Sequence, residues 1–123
     1  MDRKFRLLII DDNEEILVSL KGFLSKKGYN VVTALNGLDA LKLIEAAKDD
    51  FDLVITDLVM PNISGVAVTA IIKKQNPRMP VIAITGYGEQ PEALAKEVHA
   101  DIVMEKPFKL DELEKAVKRL LSI

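Results

Sequence analysis

Asp57 closes the apolar run Leu53-Val54-Ile55-Thr56, and Asp11-Asp12 close a second run, Leu7-Leu8-Ile9-Ile10. A third run, Val81-Ile82-Ala83-Ile84, ends in Thr85, and a fourth, Ile102-Val103-Met104, leads to Lys106-Pro107. If these runs are parallel strands of one sheet, three carboxylates, a hydroxyl and an ammonium meet at one edge. A hydroxyl and an ammonium recognise phosphoryl oxygens, and a carboxylate can act as a nucleophile toward phosphorus and form an acyl phosphate. Three carboxylates roughly 4 Å apart would repel by about 4 kcal/mol per pair at an effective dielectric of about 20. A divalent cation offsets that repulsion, and Mg²⁺ suits the set because it takes oxygen ligands and keeps positions for phosphate oxygens.

Each of these residues also has a plainer explanation. Asp12 or Asn13 can cap the helix that follows, with Glu14-Glu15 favouring its dipole. Thr85 and Lys106 can be ordinary strand-end residues. Asp57 fits a cap poorly, because Leu58-Val59-Met60-Pro61 is an apolar loop rather than a helix start. The joint pattern of acid pair, acid, hydroxyl and lysine at four strand ends favours the chemical reading.

The positioning elements follow from periodicity. Ile16, Leu17, Leu20, Phe23 and Leu24 recur at helical spacing, and Lys26-Lys27-Gly28 supplies a basic last turn and a stop. Tyr29 to Ala34 reads as strand two, and Ala40, Leu41, Ile44 and Ala47 stripe helix two after Asn36-Gly37. After strand three, Pro61 and Gly65 bracket a loop, and Ser64 caps a helix that reaches Lys74 and stops before Pro77. Strand four is followed by Gly86-Tyr87-Gly88 and a short helix around Glu92 to Val98. After strand five, Leu113, Val117, Leu120 and Leu121 stripe a last helix starting near Asp111. Alternating strands and helices predict an α/β domain with a parallel sheet. In such sheets ligands bind beyond the carboxyl ends of the strands, where strand order reverses.

Bulk properties narrow the function classes. The 123 residues, 49% hydrophobic, suffice for one core without disulfides. With 17 basic and 19 acidic residues the formal charge is -2, which gives no global attraction to nucleic acid or anionic lipid. The lack of cysteine fits a reducing compartment. No apolar stretch has membrane-spanning length, so a cytoplasmic location without membrane contact is expected.

The motifs Leu8-Ile9-Ile10-Asp11-Asp12, Asp57-Leu58-Val59-Met60-Pro61 with Gly65, Ala83-Ile84-Thr85, and Lys106-Pro107-Phe108 stand in a specific order and separation. In these the chain resembles the receiver domain of two-component response regulators over essentially its whole length. The resemblance implies a single receiver domain over residues 1–123, with a flavodoxin-like (βα)5 doubly wound parallel sheet in the order 2-1-3-4-5. It implies that Asp57 is the phosphoacceptor and that Mg²⁺ is held by Asp12, Asp57 and the Val59 carbonyl, with Asp11 acting through water. Thr85 and Lys106 would bind the phosphoryl group, and the Lys106–Pro107 bond would be cis. The protein would be a signalling switch rather than an enzyme. Its partners would be a histidine kinase or histidine phosphotransfer protein and an output protein or domain not written in these residues. The pattern allows a homodimer.

Departures from the family pattern are equally specific. Val103, three residues before Lys106, stands where many receivers carry an aromatic that turns inward when the threonine moves. His99 stands where glycine is common, and its expected role is a helix-end residue tolerating positive φ. Val59 and Tyr87, each two residues past a site residue, stand where family members tune the lifetime of the phosphorylated state. Both can shield an acyl phosphate from water, so slow self-dephosphorylation is expected. Two other classes compete. A phosphohydrolase with an aspartyl-phosphate intermediate usually has an acid two residues after the nucleophile, where this chain has Val59. A flavin module needs hydroxyls and glycine after strand one, where Asp11-Asp12 would repel a phosphate.

Overall fold

The computed structural model describes residues 4–47, 50–60, 62–86 and 99–123. Within them the strands are β1 (Arg6–Ile10), β2 (Asn30–Ala34), β3 (Leu53–Asp57), β4 (Val81–Thr85) and β5 (Ile102–Glu105). All neighbouring strands pair in parallel, in the order β2-β1-β3-β4-β5. The helices are α1 (Glu14–Lys26), α2 (Gly37–Ala46), α3 (Gly65–Gln75) and α4 (Leu110–Leu121). The expected helix around Glu92 to Val98 lies outside the described residues, as does Tyr87.

Side-chain alternation along β1 builds the layers. Leu7 and Ile9 face one way and pack with Leu17, Leu20 and Leu24 of α1 and Leu113 and Val117 of α4. Leu8 and Ile10 face the other way and pack with Ala40 and Ile44 of α2 and Val68 and Ile72 of α3. Both faces of the central strands are therefore covered, which is why β1, β3 and β4 read as unbroken apolar runs. β5, at the sheet edge, is only partly buried.

The helix starts follow side-chain chemistry. Asn13 rather than Asp12 caps α1, accepting from the amides of Glu15 and Ile16, and Ser64 caps α3 by accepting from Ala67. Asn36 caps α2 through the amide of Asp39. His99 adopts φ 57°, as expected, and the Lys106–Pro107 bond is cis. Strand order reverses between β1 and β3, so the ends of these two strands open a crevice carrying Asp11, Asp12 and Asp57.

Candidate functional site

The fold brings the acids together as their spacing predicts. Carboxylate oxygens of Asp11, Asp12 and Asp57 lie within 4.8 Å of one another. Asp11 and Asp57 are buried, whereas Asp12 is exposed at the mouth. Strand pairing continues just past the strand ends and fixes the backbone there: the Asp11 amide donates to the Ala34 carbonyl at 3.2 Å, and the Leu58 amide to Ile84 at 2.9 Å.

Local amides orient the two buried carboxylates. Asp11 Oδ1 accepts from the Asn13 amide at 2.9 Å, and Asp57 Oδ1 accepts from the Val59 amide at 3.2 Å. The second oxygen of each faces Lys106, whose Nζ lies 3.3 Å from both Asp11 Oδ2 and Asp57 Oδ2. Lys106 is itself anchored where its amide donates to the Thr85 carbonyl at 2.8 Å. One ammonium thus pairs with two of the three carboxylates, Asp11 and Asp57.

Burial pushes the Asp57 carboxyl above the usual carboxylate range. Lys106 and the Val59 amide pull it back, Asp11 pushes it further up, and the net direction is upward. Burial alone would pull the Lys106 ammonium down, but Asp57 and Asp11 together outweigh it and leave it above its usual value. An Asp57 with a raised folded pKa favours the folded state when protonated, and that contribution is lost as pH rises through the raised value. With Mg²⁺ chelated, Asp57→Asn is therefore expected to stabilise the protein near neutral pH. Urea denaturation in a chelator checks this: the variant's midpoint exceeds that of the wild type at neutral pH, and the gap closes toward acid. A lower midpoint at neutral pH contradicts it.

Thr85 is fully buried at the end of β4, and its hydroxyl has no hydrogen-bond partner among the described residues. A buried orphan hydroxyl is unfavourable by roughly 1–3 kcal/mol, so an acceptor oxygen supplied by a ligand would restore its bond. Val59 is 55% exposed beside Asp57. Val103 packs with Leu58, Val66, Ala83 and Ala100, which places an aliphatic contact between β5 and the residue next to Asp57. His99 is exposed, and it is not among the residues that line the acidic crevice.

Two features of the site were not read from the sequence. Gly65 closes the loop that Pro61 opens in the sequence, and its backbone lies so close to β3 that a Cβ there would fall 1.8 Å from the Asp57 carbonyl oxygen. Glu14 and Glu15, which favour the dipole of α1, also line the acidic crevice with Asp11, Asp12 and Lys106. The spacing of Glu14-Glu15 just after Asp11-Asp12 was the available signal for the second.

A doubly wound parallel sheet carries, at its switch point, a crevice of clustered acids that share a lysine. Comparison with known proteins assigns it further. The family model of the response regulator receiver domain matches residues 7–118, and the chain belongs to that family. It is 34% identical over 117 residues to the alkaline phosphatase synthesis transcriptional regulatory protein PhoP of Bacillus subtilis, covering 94% of this chain and 48% of that one. It thus spans about half of that relative's length. It is also 34% identical over 119 residues to sporulation initiation phosphotransferase F of Bacillus subtilis, covering 96% and 94% of the two chains. Among solved structures, a response regulator receiver domain protein from Clostridium thermocellum superposes with a TM-score of 0.89 at 32% identity, covering 96% and 94%. A CheY-like receiver from Methanospirillum hungatei also gives 0.89, at 30% identity, covering 98% and 95%.

Proposed function

We propose that residues 1–123 act as one phosphoacceptor switch of a two-component phosphorelay, with Asp57 as the residue that takes the phosphoryl group. The observation that carries the reading is the shared geometry of Lys106 with Asp11 and Asp57, 3.3 Å from each, beside the exposed Asp12. An Asp57 oxygen attacks the phosphorus of a phosphohistidine, the P–N bond breaks, and the imidazole leaves with the electron pair and takes up a proton. The Lys106 ammonium then pairs with a phosphoryl oxygen, and the Thr85 hydroxyl donates to another. Asp11, Asp12, Asp57 and the Val59 carbonyl are the residues that would hold Mg²⁺, which when bound neutralises charge on the transferring phosphoryl oxygens.

The protein thereby stores a phosphoryl group instead of turning over a substrate as an enzyme. The new charge shifts a conformational equilibrium that an output partner or domain reads. The near full-length likeness to a protein named as a phosphotransferase supports a place in a phosphorelay, with a histidine kinase or phosphotransfer protein as donor. No described helix is long and apolar enough to cross a membrane, and the charge of -2 supports neither lipid nor direct nucleic-acid binding. A cytoplasmic setting fits both.

The test is transfer from a radiolabelled phosphohistidine donor in Mg²⁺. Label is expected on the protein, released by hydroxylamine as an acyl phosphate should be. Its half-life after donor removal is expected to run to minutes, because the residue types at the two lifetime-tuning positions, Val59 and Tyr87, suit shielding from water. Hydroxylamine-resistant label, or none, contradicts the phosphoacceptor reading, and a half-life of seconds contradicts the shielding.

A further inference from the structure

Ile63-Ser64-Gly65, at the start of α3, is held between two close backbone approaches. On one side Gly65 meets the Asp57 carbonyl, and its amide donates to the Leu58 carbonyl at 3.0 Å. On the other side Ile63 meets α2: a Cβ built on Gly37 would fall 2.7 Å from the Ile63 carbonyl oxygen and 2.9 Å from both Ile63 Cβ and Ile63 Cγ2. Gly37 is buried at the first position of α2, behind its Asn36 cap, and its backbone is not in the left-handed region. Alanine would suit the helix there at least as well, so what the glycine supplies is room for Ile63. Ile63 in turn is partly buried against the cluster that holds Ala40 and Ile44 of α2 with Val68 and Ile72 of α3. The start of α3 is thus wedged between α2 and the backbone of Asp57 and Leu58.

Resting on the phosphoacceptor reading, we propose that Gly37 is a positioning residue for the phosphoacceptor and its metal site, acting through Ile63. Gly37 does not line the acidic crevice. It lets α2 seat flush on Ile63, which keeps Gly65 pressed on the Asp57 and Leu58 backbone. Val59, the residue after Leu58, then holds its amide on Asp57 Oδ1 at 3.2 Å. The carbonyl of Val59, one of the groups that would hold Mg²⁺, belongs to the same short stretch. The atom nearest an added Cβ at Gly37 is a backbone oxygen, so no side-chain rotation makes room for it. Either Ile63 moves toward β3, where Gly65 already touches Asp57, or α2 lifts and leaves Ile63 unbraced. A close-packed interior passes such a shift on, and both routes loosen the Val59–Asp57 hydrogen bond.

The test is Gly37→Ala in the whole chain, beside Ile44→Val, a truncation on the core face of the same helix that leaves the Ile63 contact alone. Mg²⁺ affinity is measured by titration calorimetry, and the Val59 amide is followed by its proton–nitrogen NMR signal in chelator. Gly37→Ala is expected to weaken Mg²⁺ binding about tenfold, as loss of an outer support of a metal ligand does. It should also shift or broaden the Val59 amide signal before any metal is added. Ile44→Val, though less stable, should leave both at their wild-type values. If Gly37→Ala does not fold, Ile63→Ala, which removes the bracing side chain, takes its place with the same expectation. Wild-type Mg²⁺ affinity in the folded variant, or an equal loss in Ile44→Val, overturns the proposal. A wild type that neither binds Mg²⁺ nor accepts a phosphoryl group instead sinks the phosphoacceptor reading, a distinct outcome.

Discussion

Gly65→Ala is expected to destabilise the protein by about 3–5 kcal/mol, near the upper end for a single substitution. The added Cβ would lie 1.8 Å from the Asp57 carbonyl oxygen and 2.7 Å from both the Asp57 carbonyl carbon and Leu58 Cα. All three are backbone atoms, so no side-chain rotation relieves the clash. The Gly65 amide also donates to the Leu58 carbonyl at 3.0 Å, so retreat of α3 breaks that bond. For a chain of this size the loss corresponds to a fall of roughly 10–20 °C in Tm. Since the displaced segment carries Asp57, phosphoryl acceptance should fall with it. Gly22→Ala is the control: Gly22 is exposed within α1, a Cβ there meets nothing within 4 Å, and stability should rise by about 0.5–1 kcal/mol. Thermal melts of the two variants check the contrast, and a Gly65→Ala melt within a few degrees of wild type contradicts it.

Lys106→Ala separates the two tasks of the lysine. Without it, Asp11 and Asp57 lose the only ammonium that pairs with them among the described residues. Lys106 is partly exposed, so the metal-free protein should lose about 1–2 kcal/mol, less than for a fully buried pair. Mg²⁺ then meets three carboxylates with no competing cation, and its affinity should rise. At ten times its dissociation constant a ligand stabilises by about 1.4 kcal/mol, so at one fixed Mg²⁺ concentration the variant should show the larger thermal shift. Phosphoryl acceptance moves the other way, falling about tenfold to a hundredfold, because charge developing on the phosphoryl oxygens loses a preorganised partner. Melting curves with and without Mg²⁺, read beside acceptance rates, check both. A variant that binds Mg²⁺ more weakly and accepts at the wild-type rate contradicts both.

Much of this arrangement is legible in the chain because it rests on local signals. Runs such as Leu7 to Ile10 and Val81 to Thr85 are short, apolar and bounded by polar residues, as buried parallel strands must be, and the ends of those runs are the site. Asn13 and Ser64 declare helix starts by their own chemistry. The parts not read from the sequence are non-local. Asp101 Oδ2 accepts from Lys73 Nζ at 2.7 Å and from the Val81 amide at 2.8 Å, tying α3, β4 and the approach to β5 together at the end of the sheet opposite the site. Nothing adjacent to Asp101 announces that clamp. Arg6 likewise stacks on Phe51 and pairs with Asp50 across a long sequence separation. The closeness of Gly65 to Asp57 depends on how residues 58–64 fold back, a three-dimensional fact with no periodic signature. Whether a glutamate in the first turn of α1 faces solvent or the cleft depends on helix rotation, which the capping pattern leaves undetermined.

The central claim is that four separated side chains, Asp11, Asp12, Asp57 and Lys106, converge so that an Asp57 oxygen can bond to phosphorus. Its most direct test is intact-mass measurement after incubation with a small phosphodonor and Mg²⁺, comparing wild type, Asp57→Asn and wild type in a chelator. A gain of one phosphoryl group by the wild type alone, and only with Mg²⁺, is the predicted result. Equal gain in Asp57→Asn, or no gain in a wild type that is folded and binds Mg²⁺, would contradict it.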